Sequence, residues 1–300
     1  MIFVASKPVK QQCYYIMKQL FIIVALLFST VQVFAQNAVK VTSVSRKENP
    51  VIFLPHISFS PEMRKGIAAY CQEVNAVYLA DFAGFNGQKP IDALYADTYV
   101  NDLNRFIKKE KLKNVILVRQ NYGAFVAVKL ASDKTLNIGN IIASDFCPKQ
   151  CMLLDPTKTI ERLEVIKKGI RKGTMEMGES DFTAALKQTA EIMNFNLAED
   201  VSRFVQWQQK SDRKTLAKTL CERFRGNLLP DLRENKIPIL VFATWYFAKK
   251  YKNMPISEAD KKLNEMYAGT PNATHAIAED AKGFMSHDLA QWFILKWINS

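Results

Sequence analysis

The sequence predicts an α/β protein with a mostly parallel sheet and a helical insertion. Short apolar runs rich in β-branched residues alternate with segments of helical period, as in strands that helices cover on both faces. The stretch 157–226 interrupts this alternation with three or four amphipathic helices and no strand pattern. The composition, 48% hydrophobic and 23% charged, is that of an ordinary globular chain and excludes collagen-like or disordered classes.

The N-terminal segment resembles a secretory signal peptide. Lys18 precedes an almost uninterrupted apolar run from Leu20 to Phe28, and "VFA" follows before Gln36. We therefore predict export to the periplasm or the extracellular space, with cleavage after Ala35. The run is short for a membrane span, so no stable span is expected after cleavage, although a retained anchor helix is the alternative. Residues 1–16 lack acidic side chains, and Met17 is the expected true start.

The first half of the mature chain alternates strands and helices. We predict strands at 50–56, 76–82, 114–120 and 138–146, and helices that begin at Ser60 and at residues 97 and 122. Ser60 is placed as an N-cap, with Pro61 at the first helical position and Glu62 in the first turn. This half supplies most of the expected sheet.

The last third repeats the alternation. We predict strands at 238–245 and 274–280 and helices at 257–268 and 286–298. Residues 36–156 and 227–300 then form the core, and 157–226 form a helical cap. In open α/β sheets ligands bind at the carboxyl edge, so the expected arrangement is a covered pocket.

Charge and cysteine content narrow the function classes. Loss of the three lysines before Gln36 lowers the formal net charge from +12 to +9. The lysines are scattered along amphipathic helices, and no nucleic-acid motif accompanies them. We therefore expect them on solvated helix faces and expect no binding of nucleic acid; binding of an anionic polymer is a weaker alternative.

Cys147 and Cys151 predict a local disulfide or two free thiols. No metal or cofactor motif is present, and we expect neither.

The stretch "VILVRQNYGAFVA" (115–127) has the outline of a strand, a sharp turn and a helix, the context of a G-x-S-x-G nucleophile elbow. The corresponding five residues are "RQNYG". Asn121 therefore stands where a serine is needed, and one of the two glycines is replaced. An amide has no oxygen comparable to a serine alkoxide, so this stretch predicts the elbow without its nucleophile.

Three segments in order make the chain resemble the α/β-hydrolase superfamily, in a group of small bacterial esterase-like proteins. They are "NPVIFLPHISFSPEMRKGIAAYCQEVNAVYLADFAGFNGQKPID", "NVILVRQNYGAFVAVKLA" and "AIAEDAKGFMSHDLAQWFILKWI". The resemblance covers the chain from about Lys47 to its end and is loosest in the cap. It implies a Ser–His–acid triad, but the histidine position falls on Gly283. Asp145 lies at one of the two positions known for the acid.

Other residues at this edge are candidates for binding. The resemblance implies an oxyanion hole from the backbone N–H of Tyr122 and that of His56 or Ile57. Arg119 and Gln120 precede the elbow, and Arg119 either adds charge or packs its stem along the sheet. Trp245 and Tyr246 end a strand at the ligand edge and are candidates for lining the pocket. The two remaining candidates, His287 and His56, are substitutes for the missing base.

From these residues we expect an exported α/β-hydrolase-fold protein that is inactive by the Ser–His route. Its expected ligand is a small molecule with an acyl or carboxylate group, held in the capped pocket, or a partner protein. The alternative is an atypical esterase-like hydrolase in which His287 or His56 activates water held by Asn121.

Overall fold

Seven strands form one sheet in the computed structural model, which describes residues 37–55, 64–120, 122–146, 148, 160–222, 227–279 and 281–298. Their order across the sheet is β1-β3-β2-β4-β5-β6-β7. Only the β1–β3 pair is antiparallel, and the other pairs are parallel. The strands are β1 Val39–Ser43, β2 Pro50–Leu54, β3 Ala76–Phe82, β4 Val115–Gln120, β5 Ile138–Ser144, β6 Ile239–Thr244 and β7 Ala273–Ala278. The predicted fold class, a mostly parallel sheet flanked by helices, is confirmed.

The helices connect the strands and cover both faces of the sheet. Those before β6 are α1 Lys65–Cys71, α2 Tyr95–Lys109, α3 Tyr122–Ser132, α4 Ile160–Met175, α5 Glu179–Thr189, α6 Ala198–Gln209, α7 Arg213–Glu222 and α8 Leu229–Glu234. Those after β6 are α9 Tyr246–Lys252, α10 Ile256–Met266, α11 Met285–Asp288 and α12 Ala290–Ile298.

The central strands are apolar on both faces, as parallel strands between helices must be. In β4, Val115 and Leu117 contribute to one core, which α2 and α3 cover. Val118 contributes to the opposite core, which α1 and α12 cover. Because each fully buried aliphatic side chain stabilises the fold by about 1.5–3 kcal/mol, these two layers hold the sheet in place.

The helical segment 160–222 contains α4 to α7 and, among its described residues, no strand. A turn of π-helix, Ala190–Asn194, follows α5 and precedes α6. The segment has its own apolar cluster around Phe195, Phe204 and Trp207, and this cluster includes Phe284 from the end of the chain. We call this segment the helical block. The exact domain boundaries, 157–226 for a cap and the remainder for the core, stay predictions.

Several elements differ from the sequence prediction. The edge strand β1 and the short helices α8 and α9 were not predicted, because each is short and exposed or mixed in polarity. The predicted closing helix is two helices, since Leu289 leaves the helical region at ψ 43°. The predicted N-cap at Ser60 and the cysteines 147 and 151 lie outside the described residues. Across the part of the chain described, no helix is both long and apolar enough to cross a membrane.

Candidate functional site

The turn between β4 and α3 has the compact geometry that the sequence predicted. β4 ends at Gln120 and α3 begins at Tyr122, so a single residue, Asn121, joins the strand to the helix. Asn121 itself and the Gln120 side chain lie outside the described structure. A strand that passes into a helix within one residue requires a sharp turn; that Asn121 lies at its tip stays a prediction.

Gly123 shows how closely α3 approaches the loop after β2. A Cβ at this position would lie 2.8 Å from the carbonyl oxygen of Pro55 and 3.2 Å from the Leu54 Cβ. Only glycine fits this approach without displacement of backbone. Pro55 and Leu54 therefore lie beside the first turn of α3, whereas His56 and Ile57 lie outside the described ranges.

The Tyr122 side chain joins the turn to the helical block. It is buried, and its hydroxyl donates a 2.6 Å hydrogen bond to Glu222 Oε2 at the end of α7. The same carboxylate oxygen accepts from the backbone N–H of Ala96. Burial, followed by the Glu222 carboxylate, raises the pKa of Tyr122 well above its ordinary value. The side chain of Tyr122 is thus a structural contact, and only its backbone N–H remains a candidate for binding.

Arg119, in β4, carries a buried charge. The residue is 2% exposed, and its guanidinium carbon lies 4.3 Å from the centre of the Phe146 ring. None of its three guanidinium nitrogens has a hydrogen-bond partner in the described structure. Burial lowers the pKa of Arg119 to about 9, against a smaller opposite effect of Tyr267, so the group stays charged at neutral pH. Five N–H donors in a rigid fork are left unused.

Asp145 follows β5, the neighbour of β4 in the sheet. Its backbone is left-handed, with φ 49°, and its Oδ2 is buried without a hydrogen-bond partner among the described residues. Burial raises the pKa of Asp145 to about 8, and a hydrogen bond from the Thr244 backbone opposes this rise. Arg119 and Asp145 do not hydrogen-bond each other. The carboxyl ends of β4 and β5 thus carry two buried groups with unsatisfied hydrogen-bonding capacity.

Trp245 and Tyr246 follow β6 but make contacts within their own surface region. The Trp245 Nε1 donates to the Met254 carbonyl at 2.8 Å, and Lys249 lies over its ring. The Tyr246 hydroxyl accepts from Lys250 Nζ at 3.0 Å. Helix α9 has no buried residue. These two aromatic side chains are therefore half-exposed and lie next to lysines. That they line the ligand pocket stays a prediction.

The segment that holds Gly283 is attached to the helical block. The Gly283 N–H donates to the Met193 carbonyl at 2.9 Å, and Lys282 Nζ donates to the carbonyls of Glu191 and Phe195. The next residue, Phe284, packs into the apolar cluster of the block. This segment, where the resemblance places a catalytic histidine, holds the block against the core.

His287 has an acidic partner that sequence spacing did not indicate. Its Nε2 lies 3.0 Å from Asp200 Oδ2 on α6, and Asp200 is 1% exposed. The neighbouring Asp288 accepts a hydrogen bond from Asn196, and burial raises the pKa of Asp288 to about 6. Because 87 residues separate His287 from Asp200, no local pattern could have paired them.

Comparisons with solved structures agree with the architecture. A bromoperoxidase from Bacillus anthracis has a TM-score of 0.68 at 16% identity, over 87% of this chain and 95% of that one. The chain has the α/β-hydrolase fold. An esterase from Exiguobacterium antarcticum reaches a TM-score of 0.67 at 16% identity, over 87% and 96% of the two chains. MenH from S. aureus reaches 0.67 at 19% identity, over 87% and 97%.

Comparison at the level of sequence gives no further assignment. No protein-family model matches the chain, and no curated protein matches it. The structural similarity shows the α/β-hydrolase fold, and identities below 20% leave the reaction open. The activity must therefore be argued from the side chains at the carboxyl edge of the sheet.

Proposed function

We propose that this α/β-hydrolase-fold protein is a non-hydrolytic binding protein for a small ligand with a carboxylate or acyl group. The observation that carries the proposal is the buried guanidinium of Arg119, which has no hydrogen-bond partner among the described residues. A buried charge without a partner destabilises a fold strongly, and buried charges are therefore normally paired. Arginine is suited to bidentate binding of a carboxylate, which would satisfy the donors of Arg119.

The elements around Arg119 favour the same class of ligand. Helix α3 has 11 residues and begins directly after residue 121, so its partial positive charge and free N–H groups lie beside the turn. Asp145, whose pKa of about 8 keeps it largely protonated at neutral pH, supplies a hydroxyl donor at the end of the next strand. An oxygen-rich anionic ligand matches these donors.

The sequence at two positions supports the absence of serine hydrolysis. Asn121 offers no nucleophilic hydroxyl, and Gly283 has no side chain to act as a base. Backbone N–H donors survive such replacements, so binding can persist where acyl transfer cannot. We further propose that the mature protein begins at Gln36 after export, which mass spectrometry of the protein from its native compartment would test.

A second candidate function rests on the His287–Asp200 pair. A histidine hydrogen-bonded to a buried carboxylate is the arrangement of a general base. In this alternative the pair activates water in an atypical, esterase-like hydrolysis. It predicts that His287→Gln abolishes ester turnover and that His275→Gln, which changes the exposed His275–Asp260 pair, does not.

Binding of carboxylates tests the first proposal. Purified full-length mature protein is titrated by calorimetry with acetate, butyrate, succinate and benzoate, and in parallel with the matching neutral amides. We expect at least one carboxylate to bind and its amide to bind more than tenfold more weakly, since one lost charge-assisted hydrogen bond is worth about 1.5–3 kcal/mol. Arg119→Met should abolish carboxylate binding, whereas Arg105→Gln, at an exposed arginine, should leave it unchanged.

Two results would contradict this proposal. One is carboxylate binding that Arg119→Met leaves intact. The other is turnover of short p-nitrophenyl esters that Asn121→Ala or His287→Gln abolishes while the protein stays folded, which would favour the hydrolase instead. Gain of ester turnover in Asn121→Ser combined with Gly283→His would show that the turn still supports the lost chemistry.

A further inference from the structure

Three side chains with metal-binding atoms meet where the helical block contacts the end of the chain. They are Asp200 on α6 and His287 and Asp288 on α11, and one donor atom of each lies within 4.8 Å of the other two. None of the three residues hydrogen-bonds Arg119 in the described structure. The group joins the helical block to the core.

The donor types match a divalent transition metal. An imidazole nitrogen with two carboxylate oxygens is a ligand set that Zn²⁺ accepts, and three protein ligands with one open position are typical of its non-structural sites. Two carboxylates so close together repel each other unless a positive charge lies between them. Neighbouring residues 287 and 288 supply two of the three donors from a single turn.

The burial of Asp200 is the independent observation that points to a cation. Asp200 is 1% exposed, and its Oδ1 accepts no hydrogen bond from any residue in the described ranges. Its nearest ion-pair partner on that side is Arg203 Nη1, at 3.5 Å on a half-exposed side chain. Asp200 Oδ1 thus has a counter-ion on a half-exposed side chain but accepts no hydrogen bond from the described residues, and such a buried carboxylate oxygen favours a closer cation.

The surroundings also orient the donors. Asn196 Nδ2 donates to Asp288 Oδ2 at 3.0 Å, the kind of contact that fixes a carboxylate ligand. Lys282 contributes positive charge near Asp288, but its Nζ is already held by two carbonyls of the helical block. The Lys282 ammonium is therefore already engaged by backbone carbonyls, and Arg203 pairs with Asp200 from a half-exposed side chain.

We propose that Asp200, His287 and Asp288 bind a divalent transition-metal ion of the Zn²⁺ class. Such an ion would connect α6 of the helical block with α11 of the core and fix the segment that contains Gly283. It would also occupy His287, which could then not act as a free base. This metal site is independent of carboxylate binding at Arg119.

Metal titration tests the proposal. Mature protein is treated with chelator and exchanged into metal-free buffer; one sample is titrated with Zn²⁺ by calorimetry, and a separate metal-free sample is titrated with Co²⁺ to follow its visible absorption bands. We expect one ion per chain, with a rise in the thermal unfolding temperature. His287→Gln and Asp288→Asn should each weaken Zn²⁺ binding at least about tenfold, the effect seen when even an outer partner of a ligand is lost.

Matched variants distinguish this site from adventitious binding. His275→Gln changes the exposed His275–Asp260 pair and should keep full Zn²⁺ affinity. Cys221→Ser should also keep it. The proposal is wrong if Zn²⁺ does not bind, if His287→Gln binds it normally, or if His275→Gln loses it equally. Circular dichroism of each variant verifies folding, and His287→Gln and Asp288→Asn, both at half-buried positions, should disturb it less than a change at the buried Asp200 would.

Discussion

Arg64 and Arg119 are both buried arginines near the carboxyl ends of central strands, and they differ in their partners. Arg64 donates to the carbonyls of Phe53 and Ala80 and forms an ion pair with Asp81 at 2.7 Å. Arg119 stacks on Phe146 and donates no hydrogen bond to any described residue. Burial lowers the pKa of both guanidinium groups. The difference distinguishes a charge that the fold uses from one that the fold leaves available.

The contrast implies opposite effects on stability. When one member of a buried ion pair is removed, the other charge stays buried without compensation, and the protein is destabilised. An unpartnered buried charge is itself the destabilising group, so its removal should relieve the fold. Groups that reduce stability without an evident structural role are typical of binding sites.

The largest effect is expected at the partnered arginine. Arg64→Met should lower the free energy of unfolding by about 3–5 kcal/mol, because Asp81 remains buried without its cation. Urea denaturation followed by circular dichroism measures this. Carboxylate affinity should not change in the fraction that stays folded. A loss below about 1 kcal/mol would remove the contrast, since such a value is typical of exposed pairs.

The next effect concerns Asp145 and depends on pH. Burial raises the pKa of Asp145 from 3.8 to about 8, so between these values the native state keeps a proton that the unfolded state has released. Stability from this group is therefore fully present below pH 4 and falls as pH rises toward 8, by at most about 1.4 kcal/mol per unit. Asp145→Asn should flatten the stability–pH curve between pH 5 and 7.

Urea titrations of Asp145→Asn and of the unchanged protein at several pH values test this prediction. Asp133→Asn is the matched control, because hydrogen bonds from Thr135 lower the pKa of Asp133 at an exposed site. It should not flatten the curve in that range. Identical pH slopes for Asp145→Asn and the unchanged protein would show that the Asp145 carboxyl is solvated.

The smallest effect on stability is expected at Tyr122, whose uncharged hydroxyl already has a hydrogen-bond partner. Tyr122→Phe removes the hydrogen bond to Glu222 and leaves that carboxylate oxygen with the Ala96 N–H alone. We expect a loss of about 1–2 kcal/mol in the free energy of unfolding. Tyr70→Phe, at an exposed tyrosine, should cost nothing measurable. Equal stability of the two variants would mean that the contact between α3 and α7 contributes little.

The sequence predicted the central strands, the one-residue turn before Tyr122 and the helical character of 160–222, because apolar periodicity and glycine positions are local signals. It did not predict that Arg119 has no hydrogen-bond partner in the described part of the chain, since pairing depends on which distant side chains reach it. Asp200 with His287, and Glu222 with Tyr122, were missed for the same reason. Each pair joins the helical block to the core across a long sequence separation, and no periodic pattern encodes such contacts.

The central claim is that Arg119 is kept for a ligand at the expense of stability. Its most direct test is the free energy of unfolding of Arg119→Met in chloride buffer without carboxylates, since methionine has a flexible apolar stem whose sulfur packs well against aromatic rings such as Phe146. We expect the free energy of unfolding to equal that of the unchanged protein or to exceed it by as much as about 4 kcal/mol. Carboxylates should no longer stabilise the variant. A loss of about 3 kcal/mol or more, as expected for Arg64→Met, would show that Arg119 is structural and would contradict the account.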